Sequence, residues 1–325
     1  MRRREFIAGL GGVGAVWPLA ARGQQPAVPV IGVLLDGDGW PLLNAAFARG
    51  LAETGYVEGR NVAIEYHAAA NNLVRLRELA DDLIRRRVAV IATPGSTPAA
   101  LAAKAGTATI PIVFGIGFDP VQLGLVASLN RPAGNLTGYT EMQVDVVSKR
   151  LELLRMLTPA AAHYGALIDP RNPISEQMAG KAREAAVFVG KPIEVISVGD
   201  DAALDAVFLD LPRSRIDALL FSPGPFFFNR RDQVIQLTAS YGVPAAYWLR
   251  EFPQAGGLMS YGSSLAEMVR KVGLYTGRIL NGAKPADLPV SRATKFELVI
   301  SARAAKALGL TIPETLLATA DEVIQ

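Results

Sequence analysis

The stretch Thr93–Lys104 reads TPGSTPAALAAK, and its residue types suit the capture of an anion. An apolar run, VAVIAT, ends at a glycine flanked by hydroxyl residues, and an alanine-rich helix comes next. The free N–H groups of a helix start, together with its dipole, favour a negative charge. Gly95, Ser96 and Thr97 carry no bulk that would keep a carboxylate from the backbone. The same residues also fit a plain helix cap, with Ser96 or Thr97 capping and Pro98 in the first turn. The residues alone allow either use.

Comparable segments recur. In Phe114–Pro120 (FGIGFDP), Gly115 and Gly117 let backbone groups face a cleft, and Asp119 could bind an ammonium or cap the next turn. In Asp36–Trp40 (DGDGW), Trp40 either stacks on a ligand or staples the next helix. The second half of the chain offers Asn172 in DPRNP, Phe226 in SPGPFFFN, and Trp248 and Glu251 in YWLREF. Three adjacent phenylalanines cannot all face one core, so at least one lines a cleft or covers a neighbouring loop. Each segment is weak alone. Their clustering at strand ends is the stronger signal.

Sets that would do covalent or metal chemistry are missing. The sequence has no nucleophile elbow, P-loop or H-E-x-x-H, and no convincing Ser–His–Asp arrangement. It has no cysteine and two histidines, His67 and His163, which argues against disulfides, thiolate metal sites and multi-histidine metal sites. Gly9–Gly14 fits G-x-G-x-x-G but lacks the preceding strand and the later acidic residue of a dinucleotide site. The expectation is a protein that is not an enzyme and uses no cofactor and no metal.

The elements that position these residues alternate. Apolar strands VPVIGVLL, NVAIEY, VAVIAT and IPIVFGI are separated by helical patterns, the clearest being LVRLRELADDLIRR; DPVQLGLVASL reads as a further short helix. After Gly134–Gly138 the alternation restarts, with DVVSKRLELLRML, HYGALID, ISEQMAGKAREAAVFV, PIEVISV, ALDAVFLDL, IDALLFS, RDQVIQLTASYG and PAAYWL. Such alternation predicts an α/β fold with two parallel sheets covered on both faces, and ligands beyond the strands' carboxyl ends. The final helix, Leu265–Leu280, and strand TKFELVIS cannot form a third domain, and so return to the two sheets. The predicted lobes are residues 26–139 with 259–290, and 140–258 with 291–325.

Residues 1–25, MRRREFIAGLGGVGAVWPLAARGQQ, have the basic start, apolar middle and small-residue exit of an export signal, with Arg3–Arg4 resembling a twin-arginine leader cleaved near Gly23. The apolar run is too short for a good membrane anchor. The formal net charge of +3 resides in residues 1–23, which hold Arg2, Arg3, Arg4 and Arg22 against Glu5. The remainder is neutral, which gives no footprint for nucleic acid.

Long blocks carry a more specific signal: FARGLAETGYVEGRNVAIEY, DPVQLGLVASLNRPAGNLTG, FFFNRRDQVIQLTASYGVPAAY, REFPQAGGLMSYGSSLAEMVRKVGLYTGRILNGAKPADLPV and TKFELVISARAAKALGLTIP. They resemble the ABC-transporter substrate-binding proteins of the tryptophan/tyrosine type, over nearly the whole chain beyond the leader. The resemblance implies a type I periplasmic binding protein fold: two Rossmann-like lobes, three hinge crossings and a ligand held between the lobes, without catalysis or cofactor. It implies that Gly95, Ser96 and Thr97 receive a ligand carboxylate, that Gly115 and Gly117 form the neighbouring loop, that Tyr139 sits at the first crossover, and that Asn172, Phe226, Trp248 and Glu251 edge the second lobe's cleft. Asp36–Trp40 departs from the family's usual small polar residues. The function implied is a monomeric periplasmic receptor delivering a small molecule, an amino acid or related carboxylate, to an ABC permease; the alternative is a sensor of the same fold signalling through a membrane receptor. An amino acid's amine would lie near Glu251 or Asp119, and the lobes would rotate about crossovers near Tyr139, Leu258 and Ser291.

Overall fold

The computed structural model describes residues 28–325 except 38–40, 144 and 173–174. The first lobe begins with β1 (Val30–Leu35), α1 (Pro41–Ala52), β2 (Ala63–Ala68), α2 (Leu73–Arg85), β3 (Val90–Pro94), α3 (Thr97–Gly106), β4 (Ile112–Ile116) and β5 (Leu136–Thr140). The chain then crosses to the second lobe: α4 (Val147–Leu157), β6 (Tyr164–Ile168), α5 (Ser175–Val189), β7 (Ile193–Ser197), α6 (Asp201–Asp210), β8 (Ala218–Phe221), α7 (Pro225–Asn229), α8 (Arg231–Ser240), β9 (Ala245–Tyr247), α9 (Glu251–Gln254) and β10 (Met259–Gly262). It returns through α10 (Leu265–Leu280) and β11 (Ser291–Arg292), and ends in the second lobe with β12 (Glu297–Ser301), α11 (Ala302–Ala307), α12 (Glu314–Thr319) and β13 (Glu322–Ile324).

The first sheet has strand order β11-β5-β4-β3-β1-β2, and every pair in it is parallel. The second has order β13-β12-β10-β9-β8-β6-β7, with β10 and β12 antiparallel. Most strands are buried on both faces and read as continuous apolar runs, as a helix-covered parallel sheet requires. A core around Leu34, Leu83, Ile91 and Phe114 fills one face of the first sheet, and one around Leu154, Tyr164, Leu220 and Ile300 fills the second lobe. A third continuous cluster runs from Val33 and Phe47 through Met268 to Trp248 and Phe252, tying the two lobes together.

Strand pairing moves two expected crossings. Met259–Gly262 pairs with β9 and β12 of the second sheet, so the chain leaves that lobe after Gly262, not at Leu258. Ser291–Arg292 pairs with Tyr139 and Thr140 of the first sheet, so the last crossing comes after Arg292. The helix read in DPVQLGLVASL does not form: the chain turns there, with Gly124 in the left-handed region at φ 66°.

Candidate functional site

The segments at the strands' carboxyl ends meet between the lobes around a cavity of about 40 Å³. Gly95, Thr97 and Pro98 follow β3, and Gly117 and Phe118 follow β4. Asn172, Pro223 to Pro225, Phe228, Trp248 and Leu249 come from the second lobe, and Leu265 and Met268 from the start of α10. Larger recesses of about 300 Å³, by α8 and α11, and about 340 Å³, between α2 and α3, carry no comparable convergence of strand ends. Chemistry and topology, rather than size, mark the inter-lobe cavity as the candidate site. The lobes also touch outside its lining, where Asn229 donates to Asn71 at 3.4 Å and Gln177 donates to Gln122.

The hydroxyl turn divides its work. Gly95 bends at φ 74°, a conformation that favours glycine, and its N–H donates to the Gly115 carbonyl at 2.7 Å. Ser96 is fully buried and caps α3, accepting from the Ala99 N–H at 3.1 Å, while its hydroxyl hydrogen-bonds the Asp36 carboxylate. Thr97, also buried, lines the cavity. Burial pushes the Asp36 carboxyl up to about 6 against the Ser96 hydrogen bond, and Asp169 across the cleft adds to the rise.

The aromatic side of the site is anchored from beneath. Phe221, Tyr247 and Phe252 stack in series at 5.2 and 4.5 Å, and Trp248 leans on Phe252 at 4.7 Å. Of the three adjacent phenylalanines, Phe226 and Phe227 are buried in the core and Phe228 lines the cavity. Phe226 instead lies between the guanidinium groups of Arg171 and Arg230, at 4.8 and 4.2 Å, beside a neighbouring recess.

Several expected residues stand back from the cavity. Gly115 lies under α10, where a Cβ would meet Met268 and Val272 at 2.8 Å. Tyr139 is buried in the inter-lobe cluster, and burial drives its phenol well above the ordinary range. Asp119 accepts from Val121 N–H at 2.8 Å and so caps its own turn. Glu251 opens α9 outside the cavity lining, its carboxyl raised by burial and its Oε2 without a hydrogen-bond partner among the described residues. Trp40 lies outside the described residues.

Sequence reasoning missed the crossing itself. Glu141 and Gln143 follow β5, line the cavity and are buried. Gln143 donates to Ser263 Oγ at 3.2 Å and to Glu141 Oε2 at 3.3 Å. The fully buried Arg150 of α4 donates to Gln143 Oε1 at 2.9 Å and to the Tyr261 carbonyl at 3.0 Å. Burial lowers its guanidinium to about 9, which leaves it charged at neutral pH. These bonds join the first crossing to the second. The signal was available: Val147, Arg150, Leu151 and Leu154 share one buried helical stripe, and an arginine there requires buried partners.

The family model described as "ABC transporter substrate binding protein" matches residues 28–324. The chain belongs to that family. A tyrosine-binding protein of Clostridioides difficile (strain R20291) is 25% identical over 265 residues, covering 81% of this chain and 75% of the relative. Among solved structures, an ABC domain in complex with L-Trp from Streptococcus pneumonia superposes with TM-score 0.83 at 26% identity, covering 91% of this chain and 99% of that one. The ligand-free, open structure of a substrate-binding protein with adhesive properties from Clostridium difficile gives 0.65 at 24% identity, covering 92% and 100%. The fold is that of the type I periplasmic binding proteins.

Proposed function

We propose that this protein is an exported, monomeric receptor that binds an aromatic amino acid between its lobes and delivers it to an ABC permease in the inner membrane. The observation that carries this reading is the two-sided cavity: Trp248 and Phe228 line it from the second lobe, and Thr97, in the first turn of α3, lines it from the first. An aromatic side chain gains most when stacked in a desolvated slot, and a carboxylate gains from helix-start N–H groups. Relatives named for tyrosine and solved with L-Trp support the same class. The better superposition on the L-Trp complex than on the open form supports a closed arrangement of the lobes. Export rests on the leader-like residues 1–25, which lie outside the described residues. Among the described residues no helix is long and apolar enough to cross a membrane.

A thermal-shift screen of the common amino acids tests the ligand class. At about 1 mM, a ligand of roughly 10 μM affinity adds about 2.7 kcal/mol of stability. L-tryptophan or L-tyrosine should raise the melting temperature most. A melting temperature unmoved by every aromatic amino acid contradicts the class.

A further inference from the structure

We propose that Glu141, on the first crossing between the lobes, is the receptor for the ligand's ammonium group and the residue that selects an amino acid over the matching acid without an amine. The assignment rests on the aromatic amino-acid reading of the site and names its missing cation partner.

Four buried side-chain polar atoms lack a hydrogen-bond partner among the described residues: Thr93 Oγ1, Glu141 Oε1, Arg150 Nη1 and Glu251 Oε2. Of the residues that carry them, Glu141 lines the inter-lobe cavity. An unsatisfied carboxylate oxygen away from water is costly, so a buried one that persists beside a ligand cavity has a partner to receive. A carboxylate oxygen accepts, so that partner is a donor. Glu141 is faced by Arg150 from α4, Glu251 from α9, the Gln143 amide and the Ser263 hydroxyl, with the Tyr139 phenol on β5 just before it. Glu251 has cations of its own in Arg250 and Arg231, and Arg150 gives its hydrogen bonds to Gln143 and the Tyr261 carbonyl rather than to Glu141. Glu141 Oε1 is left to accept from a donor that the ligand brings. With the ligand carboxylate at Thr97, an α-ammonium is the cation an amino acid brings.

Geometry is backed by protonation. Burial raises the Glu141 carboxyl to about 7; the Ser263 and Gln143 hydrogen bonds oppose the rise, the Glu251 charge adds to it and the Arg150 charge opposes it. Below that value the free protein holds Glu141 as the neutral acid. An incoming ammonium favours the carboxylate, so the acid proton leaves to the buffer as the ligand binds, and affinity falls as pH drops. Gln143 and Ser263 then transmit the contact to the second crossing.

The test pairs L-tryptophan and L-tyrosine with their counterparts lacking the amine, 3-(indol-3-yl)propionate and 3-(4-hydroxyphenyl)propionate, in calorimetric titrations of wild type and Glu141→Gln. Wild type should prefer the amino acid by about 10- to 100-fold, the effect of one charged hydrogen bond. Glu141→Gln should lose most of that preference. Titrations of wild type in buffers of different ionisation enthalpy supply a measure independent of the variant's folding. They should show release of nearly one proton at about pH 6 and almost none at about pH 8. An undiminished preference in a folded Glu141→Gln, or no proton release by wild type at the lower pH, overturns the assignment and leaves the ligand class standing. Wild type that binds none of the four compounds overturns both.

Discussion

Ser96 and Thr97 are neighbours with different work, and substitution separates them. Ser96 accepts from Ala99 N–H and contacts Asp36, inside the lobe, whereas Thr97 lines the cavity. Thr97→Ala should weaken ligand binding roughly 10- to 100-fold with little change in stability. Ser96→Ala should instead cost about 1 kcal/mol of stability, the usual effect of losing a helix cap. Calorimetry and thermal unfolding of both variants check this, and equal loss of affinity in the two would return the turn to one shared role. Residue by residue, the sequence was partly legible. The place of Gly95, Thr97, Gly117, Asn172 and Trp248 on the inter-lobe cavity was readable because each comes after an apolar strand. Glu141 and Gln143 were not, because Thr140–Asp145 reads as a junction between two units, and only the folded crossing turns both side chains inward. Asp119 misled for the opposite reason: a carboxylate near a cleft can spend itself on its own turn.

Among the elements, α4 is the joint of the molecule. Its buried face carries Arg150 among leucines, and that guanidinium holds the Tyr261 carbonyl of β10 and the Gln143 amide of the first crossing. Arg150→Met would leave both acceptors unsatisfied and Glu141 without its facing charge. Breaking a buried charged set in this way costs about 3–5 kcal/mol, so urea unfolding should show a large loss of stability; a loss within experimental scatter would mean that the network is slack. The helices with clear apolar periodicity were readable, and so were the long apolar strands. The residues of the short strands β10 and β11 were expected in the opposite lobes, since a strand of a few residues takes its place from its partners rather than its own pattern.

For the molecule as a whole, the buried acids Asp36, Glu141 and Glu251 bias the response to pH in one direction. Asp36 is raised to about 6 and Glu141 to about 7, both by burial. A raised carboxyl means that the folded state binds more protons than the unfolded one. The stability each acid contributes is therefore full below the ordinary carboxylate range and is lost as pH rises through the raised value. Between about pH 4 and pH 7 the unliganded protein should lose up to roughly 2–3 kcal/mol per acid relative to a protein with ordinary carboxyls. Chemical denaturation across that window checks the slope, which Asp36→Asn and Glu141→Gln should each flatten. The division into two α/β halves was legible from the repeated strand–helix alternation, but contact between the lobes was not, since the pairing of Asn229 with Asn71 joins residues far apart in the chain.

A ligand held between the lobes should close them about the three crossings, as contacts from both sides of one cavity require. Small-angle scattering of the protein with and without saturating L-tryptophan or L-tyrosine, whichever binds, measures this closure. The expected outcome is a smaller radius of gyration with ligand. Calorimetrically proven binding that leaves the scattering curve unchanged would refute closure.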